Sequence, residues 1–383
     1  MQFSKFYCYN IEKEKRNGMS FEKIDTLIVG GGHAGLAMSE HLSNNGVAHL
    51  ILERERIVER WRTSRWDSLI ANGPAWHDRF PTMEFSDVLP DAFAHRNSVV
   101  SYFEDFAKKI KAPIRCNVDV KEVLRLPNEA CFSVTTSDGI IDANNVVAAT
   151  GPFQQPVIPP LVPSYSGIIQ IHSKNYRNPE QLPDGAVLVV GAGSSGSQIA
   201  DELLRTGRQV FLSVGPHDRL PRRYRSHDYV WWLGVLGKWQ AKTPDPKTEH
   251  VTIAVSGSYG GQTVDFRRFA QRGMTLLGLT KEFKDGLLFF ANDLKENIAQ
   301  GDKNYLSVLN KADDYVARNN LNLPEEPEAR IIESNPECIT NPILELNLDK
   351  TNIRSIIWAT GFTQDFSWLK VDTFDASGKP RHI

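Results

Sequence analysis

The sequence predicts an α/β protein of two doubly wound domains, and three observations predict it. Two apolar runs, Thr26-Leu-Ile-Val29 and Ala186-Val-Leu-Val-Val190, each end in a glycine-rich turn that opens a helical stretch. Each helix leads to a second apolar run, Ala48 to Leu52 and Gln209 to Ser213, so a parallel strand–helix–strand crossover occurs twice. Later in each half an apolar run ends in Ala-Thr-Gly, at 149–151 and again at 359–361.

The elements follow in order. Residues 1–18 show neither strand nor helix periodicity and are expected to be a loose extension, or to precede a natural start at Met19. A helix is expected from about Gly35 to Asn45, stopped by Gly46, which can take the left-handed conformation. Ser98 to Lys111 has helical spacing, with Val99, Tyr102, Phe103, Phe106 and Ile110 on one side. Beyond Pro113 the pattern alternates and is broken by turn residues, which predicts a small antiparallel meander. Prolines crowd at 156–163 and read as a semi-rigid linker. The second helix is expected from about Gly196 to Thr206, another near Asp293 to Asn319, and a last buried strand from Ile353. The domains are therefore drawn as 19–157 with 340–383, and an inserted 158–339.

The turns carry the chemistry. In Gly30-Gly-Gly32-His-Ala-Gly35, Gly30 permits the tight exit from the strand. Gly32 lets a diphosphate approach the backbone, and Gly35 lets helix and strand pack closely. The diphosphate would sit on the helix N-terminus. Glu53, at the end of the next strand, is placed to accept hydrogen bonds from an adenosine ribose. The second turn, Gly191-Ala-Gly193-Ser194-Ser195-Gly196, repeats the pattern, but Ser213 stands where Glu53 stands in the first. Arg219, Arg222 and Arg223 follow. A hydroxyl and guanidinium groups would hold a ribose 2′-phosphate that a carboxylate would repel, so the second site is expected to take NADPH. The alternative is a solvated arginine loop. These are two Rossmann-like dinucleotide sites. A nicotinamide in one could reduce a flavin held by the other, so FAD is expected in the first.

Composition removes other classes. The 383 residues carry a net charge of −2 with interspersed signs, so no nucleic-acid surface is indicated. Met1 to Lys5 lacks the apolar core of a signal peptide, and the apolar stretch Tyr229 to Trp239 is too short for a membrane span. Packing explains that stretch best. The four cysteines form no Cys-x-x-Cys pair, which argues against a redox disulfide and for a reducing cytoplasm. Ten histidines show no metal-ligand spacing, and no catalytic-triad motif is present. Nothing signals an oligomeric state.

The paired glycine turns and the two Ala-Thr-Gly strands resemble the class B flavoprotein monooxygenases, from about Lys23 to Leu369. The resemblance implies that Thr150, Gly151, Thr360 and Gly361 back onto the cofactors. Tyr165-Ser-Gly167-Ile-Ile-Gln-Ile-His172 is similar to the family's Phe-x-Gly-x-x-x-His linker, with Tyr for Phe and one extra residue before His172. His172 is thereby a catalytic candidate or a hydrogen-bonded structural histidine. Asn72-Gly-Pro74, after Trp61-Arg62 and Trp66-Asp67, is similar to an Asn-x-Pro segment in which Asn lies by the flavin. Asn72 is thus expected as the polar group near the reacting flavin atom, or else as a turn residue before Pro74. The implied reaction consumes NADPH and O₂ and passes one oxygen atom from a C4a-(hydro)peroxyflavin to a small organic substrate.

The chain departs from the family after Gly361, stopping at Lys379-Pro-Arg-His-Ile383 where a further strand and helix would begin. The expectation is a shortened segment with weak FAD affinity and peroxide leakage. An NADPH-dependent flavin reductase or oxidase, and a non-catalytic nucleotide-binding relative, remain open beside the monooxygenase.

Overall fold

A computed structural model describes residues 12–16, 19–127, 131–164, 167–242, 252–376 and 378–381. The chain divides into two compact units, Met1–Thr63 with Val99–Gln155 and Phe362–Ile383, and Ser64–Ser98 with Pro156–Gly361.

The first unit is built on one sheet. Its parallel part runs Gly139–Ala148, Met19–Val29, His49–Glu53 and Ile114–Cys116, with Val29 opposite both Ala148 and Leu52. Residues 26–29 and 49–52 are buried at every position, as expected where both faces of a parallel sheet are covered. Leu27, Ile28 and Ile51 are fully buried. The expected meander is present as Val120–Arg125, Phe132–Thr136 and Gly139–Ala148, paired antiparallel. Helix His33–Asn44 follows the glycine turn, and Arg96–Lys109 buries Val99, Tyr102, Phe103 and Phe106. Glu12–Arg16 pairs antiparallel with 19–23, so these residues form a strand rather than a loose extension. Residues 1–11 lie outside the described chain.

The second unit holds a five-stranded parallel sheet in the order Ile169–His172, Ile353–Trp358, Ala186–Val190, Val210–Ser213, Thr275–Leu277. Helix Ser194–Arg205 connects its third and fourth strands, and the 25-residue helix Leu294–Arg318 packs nearby. The second unit runs on to Gly361, not to the expected boundary at 340. Ile353–Trp358 is hydrogen-bonded between two strands of the second sheet, and Ile353, Ile356, Ile357 and Trp358 are fully buried there. The hairpin Ile70–Pro74 with Phe93–His95 also belongs to this unit, not to the first. Tyr229–Val235 is a short packing helix whose Trp232 is fully buried and donates to Tyr224 O at 2.9 Å. Among the described residues no helix is long and apolar enough to cross a membrane.

Candidate cofactor-binding sites

The first glycine turn is shaped by close backbone approach. Gly30 has φ +115°, and a Cβ there would stand 2.4 Å from the Ala149 carbonyl oxygen. A Cβ on Gly35 would stand 2.0 Å from Gly30 O, so helix and strand touch only because both side chains are absent. Gly32 is different: nothing lies within 4 Å of the Cβ position, which leaves open space over the first turn of the helix. Glu53 Oε2 accepts from Gly31 N–H at 2.8 Å and Oε1 from Glu55 N–H at 3.0 Å, which fixes the carboxylate beside the turn. Val58 N–H donates to Gly31 O, bringing the short helix Glu59–Thr63 with Trp61 and Arg62 against the same turn. Arg62 pairs with Glu104 at 2.5 Å. Gln154 donates to Thr150 Oγ1 and Gly151 O, bracing the Ala-Thr-Gly turn. The open cradle over Gly32, an adjacent carboxylate and the helix dipole fit an adenine dinucleotide such as FAD.

The second unit repeats the arrangement. Gly191 has φ +101°, and its Cβ would meet Ala359 O at 2.6 Å. A Cβ on Gly196 would lie 1.8 Å from Gly191 O. In both units the alanine of Ala-Thr-Gly therefore supplies the carbonyl that closes on the turn glycine. Gly193 caps helix 194–205 without a side-chain bond. The Ser194 hydroxyl donates to Ile253 O at 3.0 Å, and Ser195 is half-buried in the first turn. Thr360 Oγ1 donates to Val157 O at 2.5 Å, and Gly361 O accepts from Val157 N–H.

Three residues expected at a 2′-phosphate are internal instead. Ser213 is buried, and its hydroxyl donates to Gly278 O at 2.8 Å and meets Thr280 Oγ1 at 2.9 Å. Arg219 is gripped by Asp265 and Asp302 at 2.6 and 2.8 Å. Arg222, 2% exposed, pairs with Asp228 and donates to the Asn72 carbonyl at 2.6 Å. Only Arg223 of the set is exposed.

His172 is also internal. It is fully buried, Nδ1 accepts from Lys174 N–H at 3.1 Å, and Nε2 donates to Gly361 O at 2.9 Å. These bonds select the Nε2–H neutral ring and commit both nitrogens, Nε2 to the Gly361 turn and Nδ1 to the Lys174 N–H. The structural alternative for His172 is the one that the geometry favours. Burial pushes its pKa down, outweighing the Gly361 carbonyl, which raises it. The ring stays neutral in the folded protein while the unfolded ring protonates below about pH 6.5. This contribution to stability is full above that value and is lost as pH falls toward the lower folded pKa. Thermal midpoints should therefore fall from pH 7.5 to about 5.5, and less steeply in His172→Gln, which cannot titrate.

Asn72 lies on the exposed side of strand Ile70–Pro74, with its Oδ1 accepting from Gln198 Nε2 at 2.8 Å. Gln198 escaped the sequence reading because its partner is 126 residues away; its only local signal was a place one turn along the cradle helix. Beside it a cleft of ≈ 570 Å³ is lined by Trp66, Gln198, Arg205, Tyr259 and Arg272, among others.

The pyridine nucleotide-disulphide oxidoreductase family matches residues 27–233. A CzcO-like oxidoreductase of Geobacillus kaustophilus is 31% identical over 363 residues, covering 94% of this chain and 86% of that protein. A probable indole-3-pyruvate monooxygenase of Arabidopsis thaliana is 30% identical over 353 residues, 91% of this chain and 78% of its own length. The chain belongs to the class B flavoprotein monooxygenase family. It is an FAD-dependent oxidoreductase, and FAD and NADPH are the cofactors of its family. The flavin-containing monooxygenase of Stenotrophomonas maltophilia shares the fold, with a TM-score of 0.60 at 18% identity over 94% of this chain and 85% of that one. So does the bacillithiol disulfide reductase of Bacillus cereus, at 0.58 and 16% over 94% and 86%.

Proposed function

We propose that this chain is an NADPH-dependent monooxygenase that transfers one oxygen atom from O₂ to a small organic substrate. The observation that carries the reading is the repeated cradle, in which a turn glycine packs on the alanine carbonyl of Ala-Thr-Gly in each unit. Two such cradles call for two dinucleotides. Gly30, Gly32, Gly35 and Glu53 would hold FAD, with Trp61, Arg62, Thr150 and Gly151 around it. Gly191, Gly193, Ser194, Ser195 and Gly196 would hold NADPH, with Thr360 and Gly361 behind and exposed Arg223 toward a 2′-phosphate. Bound FAD supplies hydride acceptance from NADPH and the reaction of its reduced form with O₂. The protein's part is to bind, orient and exclude water. Asn72 is the polar group assigned to the reacting centre, and His172 acts through the Gly361 turn. Free, half-buried thiols at Cys116 and Cys338 support a cytoplasmic setting.

The test is anaerobic reduction with NADPH followed by an oxygen pulse, watched by absorbance. A monooxygenase should show a phase that precedes the return of oxidised flavin. Direct return with stoichiometric hydrogen peroxide would make the protein a reductase or oxidase instead.

A further inference from the structure

The contact between Asn72 and Gln198 joins two amides, and such a pair can be arranged in two ways, since either oxygen could face either nitrogen. The surroundings choose between them. Gln198 Nε2 also lies 3.4 Å from the Val255 carbonyl oxygen, and a carbonyl oxygen only accepts. The Gln198 NH₂ must therefore point this way. Its other end, Oε1, lies 3.5 Å from the Ser258 hydroxyl, a group able to donate. With the Gln198 NH₂ turned toward Asn72, only Asn72 Oδ1 can meet it. The Asn72 NH₂ is left on the exposed side.

The backbone around Asn72 is fixed independently. Arg222 Nη1 donates to Asn72 O at 2.6 Å and is itself held by Asp228, with Nε at 3.0 Å. Gly257 packs so closely on the strand that a Cβ would stand 2.0 Å from Ala71 O. Neither contact selects which end of the Asn72 amide faces out. Gln198, 7% exposed, does.

We propose that Gln198 is a positioning residue that presents Asn72 as a hydrogen-bond donor, its NH₂ rather than its carbonyl oxygen facing the reactant. The proposal rests on Asn72 being the polar group of the monooxygenase site. A preorganised donor stabilises an oxygen atom that gains negative charge, whereas a carbonyl oxygen in the same place would repel it.

Gln198→Glu tests this with nearly unchanged shape. A carboxylate only accepts, so Asn72 must turn, give its NH₂ to Glu and expose Oδ1. In cofactor-free protein labelled at asparagine, the Asn72 side-chain amide signals are identified by their loss in Asn72→Ala. They should shift to a hydrogen-bonded position in Gln198→Glu and return on acidification, when the protonated carboxyl can donate again. The charged and titratable groups around that carboxyl are Asp201, Glu202 and Arg205 on its own helix, Tyr259, Asp265, Arg268 and Arg272 in the cleft it lines, and Arg222 with Asp228 on the other side of Asn72. In the holoenzyme, hydrogen peroxide released per NADPH should rise about tenfold in both Asn72→Ala and Gln198→Glu. Should Gln198→Glu fail to fold, Gln198→Leu frees the amide and should release peroxide at a level between wild type and Asn72→Ala. Unchanged coupling in Asn72→Ala would refute the role of Asn72, while the amide signals would still decide its orientation. Uncoupling by Asn72→Ala, with amide signals and coupling unmoved in the Gln198 variants, would overturn the positioning role.

Discussion

Alanine at Gly35 is expected to strip FAD from the protein, and alanine at Gly196 to weaken NADPH use while FAD stays bound. The added methyl carbons would lie 2.0 Å from Gly30 O and 1.8 Å from Gly191 O. Both obstacles are backbone atoms, so no rotamer change relieves them. The helix must back away from its strand, and its N-terminus moves with it. Overpacking of this kind costs about 1–3 kcal/mol, and a similar loss at the cradle weakens the cofactor about tenfold to a hundredfold. Absorbance of flavin per protein after gel filtration reads the first effect, and KM for NADPH reads the second. Gly32→Ala separates packing from ligand approach. Nothing lies within 4 Å of its Cβ position, so the thermal midpoint of cofactor-free protein should hold while FAD affinity falls. Full FAD retention in Gly32→Ala would sink the assignment of that turn to a diphosphate.

The reason these glycines were legible in the sequence is that their requirement is local. A turn, a close approach and a helix start lie within six residues, and the residue type follows from sterics alone. The meander and helices 33–44, 96–109 and 294–318 were legible for the same reason, each being set by its own periodicity. The domain assignment of Ile353–Trp358 was not local. An apolar run announces a strand, but not which sheet it enters, and this one slots between Ile169–His172 and Ala186–Val190. Hairpin 70–95 was assigned by chain continuity, which the fold does not respect. Side chains were harder still. Ser213 ends its strand at the expected place but turns inward to Gly278 and Thr280. His172 carries no mark of the carbonyl at 361 that captures it. The arginines of 219–223 look alike in sequence and differ only in distant partners, Asp302 for one and Asn72 for another.

Those partners make Arg219→Ala a stability variant, expected to lose about 3–5 kcal/mol without altering the preference between NADPH and NADH. Arg219 is 9% exposed, its Nη2 bonded to Asp265 at 2.6 Å and its Nη1 to Asp302 at 2.8 Å. Arg267 completes the cluster by donating to both oxygens of Asp302, at 3.0 and 2.7 Å. Two guanidinium groups thus balance two carboxylates, and removing one leaves a buried negative charge without its partner. The damage would spread, because Asp265 also caps helix Phe266–Gln271 through the Arg267 N–H and Asp302 sits on helix 294–318. The Arg219 guanidinium also covers the Tyr305 ring at 4.4 Å, packing that alanine cannot replace. Arg223→Ala is the contrasting variant, since that side chain is exposed and its loss should change stability by less than about 0.5 kcal/mol. Under the proposed NADPH assignment it is the arginine of the set that would meet a 2′-phosphate, so its removal should lower kcat/KM for NADPH relative to NADH. Denaturant midpoints and the ratio of the two kcat/KM values separate the roles. If Arg219→Ala kept its midpoint and lost its preference for NADPH, the buried cluster would not be the reason that Arg219 is there.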